Sequence, residues 1–293
     1  MNEAMLEPLS YQAPSSLTEA LTLLSCEPGA VAYAGGVALI PRLRSGVPSE
    51  TVLVDLKRIH GLRGIRREGG RLWIGPLTTH TDLAHWGDAR GSERMLAQLA
   101  SQVGSIQVRN RGTVGGNLAA ADPAHDVAPV MHAMGGRVTV TSLAGERTME
   151  PEELIPLHGE TTLRRGELIA AIELTLAGTH GAFVKFRRSA LDPTIVSVAI
   201  TLEIDRELCV SARIALGNYS TSPVRAEDAE AELAGTPLHP SDVAKATEAL
   251  DAIDPVADRR ASARYRRRTA SVLLEQAISQ ALDSPRLATE AAA

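Results

Sequence analysis

Two Gly-Gly pairs, 80 positions apart, are the residues in this sequence best suited to bind a ligand through the backbone. The first lies in Ala34-Gly35-Gly36-Val37-Ala38 and the second in Thr113-Val114-Gly115-Gly116-Asn117. A glycine pair lacks two Cβ atoms and permits positive φ, so consecutive N–H groups can approach one anion. Each pair alone is equally consistent with an ordinary tight turn. Two loops of this kind together suit a diphosphate.

The second pair belongs to a run of mixed polar chemistry that extends from Arg109 to Asp126. Thr113 can offer a hydroxyl to a phosphate, and Asn117 can donate and accept hydrogen bonds, or merely close the turn. Asp126 can cap the helix expected after it. Neither pair matches Gly-x-Gly-x-x-Gly or a Walker motif. The polar run favours a ligand site over a plain turn.

The histidines and cysteines form no recognisable catalytic or metal-binding set. The eight histidines lack metal-ligand spacing, and no nucleophile is placed beside one. We therefore interpret His80, His125 and His132 as structural or surface residues, and predict no catalytic residue and no metal site. Cys26 and Cys209 are isolated, which excludes a disulfide framework or an iron–sulfur cluster within this chain.

Composition narrows the function classes. A length of 293 residues with 44% hydrophobic residues favours two domains, or one with an appendage. A net charge of −5 and 3% aromatic residues give no support for nucleic-acid binding. The N-terminus lacks a signal-peptide pattern and no apolar run is long enough to span a membrane, so we expect a cytoplasmic protein. Arg66-Arg67 and Arg266-Arg267-Arg268 are interpreted as solvated surface clusters.

Periodicity places the first glycine pair between a strand at Val31–Tyr33 and a helix at Val37–Arg44, where free N–H groups favour phosphate. Ser15-Ser16 are predicted to cap an earlier helix that ends before Pro28-Gly29. Further strands are predicted at Thr51–Val54, Arg71–Ile74, Arg137–Thr141 and Leu168–Leu174, and further helices after Thr78-Thr79, at Met95–Val103 and at Val127–Met134. This is an α+β pattern without a regular βαβ repeat.

The character of the sequence changes near Gly178, so we predict one domain over residues 1–177 and a second over 178–283, with a disordered tail at 284–293. The second domain is expected to contain strands at Ala182–Arg188, Ile195–Ile204 and Cys209–Leu216, and helices at Val224–Leu233, Asp242–Ile253 and Ala261–Leu282.

Several segments together resemble a known family. They are the first glycine loop with Leu39-Ile40-Pro41, then Leu53–Leu56, Leu72–His80 and Thr113–Asp126. This pattern is similar to the FAD-binding middle subunit of the molybdenum hydroxylases, the family of aerobic carbon monoxide dehydrogenase and the xanthine dehydrogenases. The resemblance implies an α+β fold: a two-part PCMH-type FAD-binding domain over 1–177, divided near 57–62, followed by a small antiparallel sheet with helices.

The resemblance also implies roles for individual residues. Asp126 would accept hydrogen bonds from sugar-type hydroxyls of FAD, Ile169 would contact the isoalloxazine ring, and Lys185 would lie near the ring and favour the reduced flavin. A solvent-facing lysine on an edge strand is the alternative for Lys185. Val37-Ala38 replace a polar pair common in relatives, and Asp192-Pro193-Thr194 receive no role. The implied FAD-binding residues are Ala32, Tyr33, Ala34, Gly35, Gly36, Val37, Ala38, Thr113, Gly115, Gly116, Asn117, Asp126, Ile169 and Lys185.

The function that the resemblance implies is electron transfer. FAD in this subunit would collect electrons from 2Fe-2S clusters of a small partner subunit and pass them to NAD, a quinone or another acceptor, while a large molybdopterin subunit hydroxylates the substrate. The assembly would be a dimer of heterotrimers. Two alternatives stay open: a stand-alone FAD-dependent oxidoreductase, and a scaffold subunit without flavin.

Overall fold

In the residues that the structure describes, three β-sheets with helices around them confirm the expected α+β class. The computed structural model describes residues 9–46, 51–176, 178 and 180–283, so the predicted tail at 284–293 lies outside the described residues. Within these ranges, none of the helices has both the length and the apolar character that a membrane crossing requires.

The first sheet presents the first glycine loop. Its strands are β1 (Ser10–Gln12), β2 (Ala30–Tyr33) and β3 (Val52–Asp55), which are parallel in the order β1-β3-β2. Helix α1 (Leu17–Cys26) begins as predicted, since the Ser16 side chain accepts from the N–H of Glu19. Helix α2 (Leu39–Arg44) begins later than the predicted Val37, so the loop between β2 and α2 is Ala34–Ala38.

The second sheet is antiparallel, in the order β4-β5-β8-β6-β7. A turn at Gly69-Gly70, with φ of 58° and 74°, joins its first two strands. The polar edge strands β4 and β7 were not predicted because they lack an apolar alternation. The strands are β4 (Ile65–Glu68), β5 (Arg71–Ile74), β6 (Arg137–Ser142), β7 (Gly145–Met149) and β8 (Leu168–Thr175).

Six short helices connect the strands of this second region. They are α3 (His80–Ala84), α4 (Arg94–Ser101), α5 (Ile106–Arg111), α6 (Val114–Ala120), α7 (Val127–Ala133) and α8 (Pro151–Leu154). The interpretation of Gly115-Gly116 as a loop was wrong, because both glycines lie in α6. A Cβ on Gly115 would lie 2.5 Å from the Cβ of Pro76, so tertiary packing overrides the poor helix propensity of glycine here.

The C-terminal region is an antiparallel sheet in the order β12-β11-β10-β9, covered by helices. Val224-Arg225, predicted as the start of a helix, form its last strand. The strands are β9 (His180–Phe186), β10 (Val196–Asp205), β11 (Leu208–Gly217) and β12 (Val224–Arg225), and the helices are α9 (Glu227–Leu233), α10 (Pro240–Ala249) and α11 (Ala263–Asp283).

One apolar core is shared between the second and third sheets. Phe183, Ala199 and Ala215 of the C-terminal sheet belong to the same buried cluster as Leu72 of β5 and Leu118 of α6. A second core lies between the C-terminal sheet and its helices, and a third lies under the first sheet. The shared core brings β9 and β10 against α4 and α7, and so fixes the side chains that meet at this seam.

Candidate functional site

The first glycine loop presents free backbone donors. Among the described residues, no acceptor takes the N–H groups of Gly35, Gly36, Val37 or Ala38. Gly36 has a φ of 76°, and a Cβ there would lie 2.6 Å from the Tyr33 ring, so this position requires glycine. Exposed Val37 and Ala38 contribute backbone rather than side-chain polarity. Four consecutive unpaired amides form a site for an anion.

Two cations flank this loop. The Lys57 ammonium lies 3.8 Å from the Tyr33 ring centroid and 3.5 Å from the carbonyl oxygen of Ala34. Arg111 donates through Nη2 to the Tyr33 hydroxyl at 3.2 Å. A Cβ on Gly35 would lie only 1.8 Å from the Arg111 carbonyl oxygen, so the loop packs directly against the segment that precedes α6. Neither Lys57 nor Arg111 was predicted.

The backbone donors at the start of α6 are already occupied. Thr113 is the N-cap, and its hydroxyl oxygen accepts from the N–H of Gly116 at 3.1 Å. The N–H of Val114 donates to Thr78, and that of Gly115 donates to Pro76. The expectation that this second pair supplies its N–H groups to a diphosphate is therefore not met. The Thr113 hydroxyl hydrogen is still available to donate.

Gly116 is open on the side that faces the first loop. A Cβ built on it would have two neighbours within 4 Å, the Thr113 hydroxyl oxygen at 2.8 Å and the Ala34 Cβ at 4.0 Å. The space beside Gly116 therefore lies between α6 and the first glycine loop. The sequence correctly identifies these two segments as neighbours, although the glycines on α6 serve packing and space rather than N–H donation.

A buried ion pair joins Asp126 to Lys185 at the seam between the sheets. The Lys185 ammonium donates to Asp126 Oδ2 at 2.8 Å, and each side chain is 4% exposed. The solvent-facing alternative for Lys185 was therefore wrong. Asp126 lies at the N-cap position of α7, but its side chain makes no capping hydrogen bond. The capping alternative for this carboxylate was wrong as well.

Asp126 is held by a second donor and retains a free oxygen. The Thr194 hydroxyl donates to the same Oδ2 at 2.9 Å. Asp126 Oδ1 is buried without a hydrogen-bond partner in the described residues. A buried carboxylate oxygen without a donor is costly, so this atom fits a hydroxyl or N–H supplied by a ligand. Thr194 is a site residue that the sequence reasoning missed.

Asn117 lies within α6 rather than in a turn, and its contact with FAD stays a prediction. Its backbone carbonyl oxygen lies 2.9 Å from Nδ1 of His125, the residue that precedes Asp126. Its side-chain oxygen is buried and has no hydrogen-bond partner in the part of the chain that the structure describes, and the residue lines a cavity of about 10 Å³ together with His158. That volume accommodates one water molecule at most. The Asn117 side chain therefore borders this small cavity.

His80 is a buried residue near both Gly112 and the Asp126–Lys185 pair. Its N–H donates to the carbonyl of Gly112 at 3.1 Å, and its ring Nδ1 is buried without a partner in the described residues. Burial, reinforced by the neighbouring His125 and Lys185 side chains, lowers the pKa of His80 to about 4. The imidazole is therefore neutral near pH 7, as the assignment of a structural role requires.

Ile169 occupies a different environment from the polar residues. It lies on β8, is 7% exposed, and belongs to the apolar cluster that contains Val114 and Leu118 of α6. Its role at an isoalloxazine ring stays a prediction. Ala32 and Tyr33 end β2, so they lead directly into the loop of free amides.

Known proteins are similar to this chain over nearly its whole length. The family model for the FAD binding domain in molybdopterin dehydrogenase matches residues 6–175, and that for the CO dehydrogenase flavoprotein C-terminal domain matches 181–281. Subunit alpha of the 6-hydroxypseudooxynicotine dehydrogenase complex of Paenarthrobacter nicotinovorans is 33% identical, over 94% of this chain and 95% of that protein. The chain belongs to the FAD-binding subunits of the molybdenum hydroxylases.

Two further comparisons agree with this membership. The carbon monoxide dehydrogenase medium chain of Afipia carboxidovorans is 32% identical, over 92% of this chain and 96% of that protein. The structure of reconstituted CO dehydrogenase from Oligotropha carboxidovorans contains a chain that matches with a TM-score of 0.90 at 30% identity, covering 96% of this chain and 100% of that one. The molybdenum hydroxylase FAD subunit is an oxidoreductase component, and its cofactor is FAD.

The residues of this FAD subunit fit that cofactor on structural grounds. The free amides of Gly35–Ala38 and the flanking Arg111 cation suit a diphosphate. The unpartnered Oδ1 of Asp126 suits a hydroxyl group.

Thr194 could have been found from the sequence only as a polar residue directly before an apolar strand, which is a weak signal.

Proposed function

We propose that this chain is the electron-transfer subunit of a heteromeric molybdenum hydroxylase, and that its FAD passes electrons from 2Fe-2S clusters of a partner subunit to an external acceptor. The observation that carries the proposal is the combination of four free amides at Gly35–Ala38 with an unpartnered buried oxygen on Asp126. The free amides suit an anionic group of a ligand, and Asp126 Oδ1 suits a hydroxyl of the same ligand.

The residues of the chain would divide the binding of FAD between them. Gly35, Gly36, Val37 and Ala38 would donate to the diphosphate through their N–H groups. The nearby Lys57 ammonium is paired with the Asp55 carboxylate at 2.9 Å, so its charge is largely balanced within the chain. The Thr113 hydroxyl would donate to the same region, and the open face of Gly116 would leave space for it. Asp126 Oδ1 would accept from a hydroxyl of the cofactor.

Lys185 and Asp126 would set the electrostatics of the site. FAD, when bound, supplies the redox chemistry, because a flavin accepts one or two electrons. The Lys185 ammonium would stabilise negative charge nearby, and Asp126 would hold that ammonium in place through the 2.8 Å ion pair. Burial of the pair in a low-dielectric seam strengthens both effects.

The electrons must enter from another chain. An iron–sulfur cluster takes four protein ligands, whereas this sequence has two cysteines, of which Cys26 is exposed and Cys209 is buried. Relatives carry names such as "medium chain" and "complex subunit", which supports assembly with further subunits. A large molybdopterin subunit, a small 2Fe-2S subunit, a dimer of such heterotrimers and a cytoplasmic location are part of this proposal.

The domain division is also a proposal. The parallel sheet ends at Asp55, the second sheet begins at Ile65, and the third begins at His180. These limits support subdomains that meet near 57–62 and a C-terminal domain over 178–283.

A pull-down of the tagged chain from its source, with cofactor analysis, tests the function. We expect FAD, a molybdenum subunit and an iron–sulfur subunit in one complex. The isolated FAD-loaded chain should be reducible by dithionite but should oxidise no hydroxylase substrate, and partner subunits should restore substrate-driven bleaching of the flavin. Turnover by the lone chain would favour a stand-alone oxidoreductase, and a complex that contains the partner subunits but no FAD would favour a scaffold.

A further inference from the structure

A line of buried hydrogen bonds connects the first turn of α11 to Asp126. Arg266 on α11 is 0% exposed, and its Nη1 donates to the backbone oxygen of Asn218 at 2.8 Å. Asn218 Nδ2 donates to the Thr194 carbonyl oxygen at 2.6 Å, and the Thr194 hydroxyl reaches Asp126 Oδ2. The interpretation of Arg266 as part of a solvated cluster was therefore wrong.

The residues of this line are buried, and each of them has a particular hydrogen-bond partner within the chain. Arg266 Nη2 lies 2.8 Å from Asp258 Oδ1, which balances the buried positive charge. Thr194 is 1% exposed and Asn218 is 2% exposed, so their polar groups depend on one another rather than on water. Asn218 has a φ of 50°, a conformation that asparagine tolerates better than most residues.

The geometry at the end of the line determines what Asp126 can do. Lys185 and Thr194 both donate to Oδ2, so the carboxylate has one preferred orientation in which Oδ1 is free. Without the Thr194 hydroxyl, Lys185 would be the sole donor. The carboxylate could then turn and present both oxygens to the ammonium, which would remove Oδ1 from a ligand.

We propose that Thr194 and Asn218 are positioning residues for FAD binding, which act through Asp126 by fixing the orientation of its carboxylate. The proposal rests on the proposed function, because it requires FAD to use Asp126 Oδ1. Asn218 acts one step further away: it orients the Thr194 backbone and is itself held by Arg266 of α11.

Titration of the full chain with FAD tests the role of Thr194. Thr194→Val removes the hydroxyl at nearly constant volume, and we expect the Kd for FAD to rise about tenfold. Thr194→Ser keeps the hydroxyl and should bind as the wild type does. Thr201→Val is the matched control, since the Thr201 hydroxyl is also buried and donates to the Ala133 backbone oxygen at 2.6 Å, without contacting Asp126. It should leave the Kd within about twofold of wild type, even where it lowers the unfolding temperature.

Asn218→Gly tests the longer connection, because glycine retains the backbone conformation and the carbonyl used by Arg266. We expect its Kd to rise about threefold, and the double variant with Thr194→Val to bind no more weakly than Thr194→Val alone. Additive losses, or wild-type affinity in Thr194→Val, would overturn the positioning role while leaving the proposed function intact. Failure of the wild-type chain to bind FAD would overturn both. If Thr194→Val does not fold, a Thr194→Ser variant that binds tenfold more weakly than wild type would refute the proposal.

Discussion

Asp126 and Lys185, 59 positions apart in sequence, form an ion pair of 2.8 Å that is almost closed to solvent. Asp126 precedes α7 in the second region, and Lys185 lies on β9 of the C-terminal sheet. The pair therefore depends on the packing of both regions. Variants of these two residues allow the stability of the seam and the affinity for FAD to be measured independently.

Asp126→Ala is expected to lower the free energy of unfolding by about 3–5 kcal/mol, because it leaves a buried ammonium unpaired. Asp126→Ala combined with Lys185→Met should recover most of that loss, since the unpaired charge is gone. Both variants should bind FAD about ten- to a hundredfold more weakly. Urea unfolding and FAD titration measure the two effects.

As a control, Asp251→Ala removes a largely exposed ion pair with Arg267 and should lower the free energy of unfolding by at most about 1 kcal/mol. Unchanged FAD affinity in the Asp126→Ala variants would show that Oδ1 does not serve the cofactor.

Lys185→Met is expected to lower the midpoint potential of the bound flavin. The substitution removes a positive charge and leaves the Asp126 carboxylate without its counter-ion. Both consequences disfavour an anionic reduced flavin. We expect a shift on the order of 30–60 mV, measured by dye-coupled redox titration. Lys245→Met on the exposed face of α10 should leave the potential unchanged. An equal potential in the Lys185→Met and Lys245→Met variants would mean that Lys185 lies far from the flavin.

Gly116→Val should remove FAD while leaving the fold intact. The new side chain fills the open space near Ala34 and displaces the Thr113 hydroxyl, which lies 2.8 Å from the position of the Cβ. Loss of that cap costs about 1 kcal/mol, partly offset because valine is a better helix former than glycine. Flavin content after gel filtration is the measurement. Gly87→Val, where a Cβ would meet no atom of the described residues within 4 Å, should retain FAD. Stoichiometric FAD in the Gly116→Val variant would exclude a ligand from this space.

His80 should make the protein less stable in mild acid. Its pKa is lowered to about 4 in the folded chain by burial, against about 6.5 when unfolded. The unfolded state therefore binds a proton first as the pH falls, so the free energy of unfolding should decrease between about pH 6.5 and pH 4, by at most about 3 kcal/mol. Urea unfolding of the FAD-free chain at pH 7 and pH 5 measures this. His80→Gln should show a smaller decrease than wild type, whereas exposed His85→Gln should match it. Equal pH dependence in all three proteins would show that His80 does not contribute.

Local signals made part of this fold predictable. Ser16 with its following leucines defines α1, and Arg71–Ile74 is a strand that the sequence marks by a short apolar run after a glycine turn. Gly115-Gly116 could not be recognised as helical, because only the contact with Pro76 overrides their low helix propensity. The three-residue strand β1 exists through pairing with β3, about forty positions later, so it leaves no periodic pattern.

The candidate site shows the same division. Asp126 and Lys185 could each be selected from the sequence, because charged residues beside apolar elements and a resemblance to a family identify them. Their contact with each other could not, since it depends on how the C-terminal sheet packs against α7. Thr194 joins the pair through a hydrogen bond across 68 positions. Arg266 lies among other arginines in sequence, so its complete burial has no local signature.

The shared core also bears on how such chains can evolve. Because Phe183, Ala199 and Ala215 complete an apolar cluster built largely from earlier residues, a chain cut between β8 and β9 would expose that cluster to water. The same cut would strip Asp126 of both its donors. Recombination between relatives at this junction therefore replaces one side of an interior contact, and we expect hybrid chains to fold only where the residues on both sides of the seam come from the same parent.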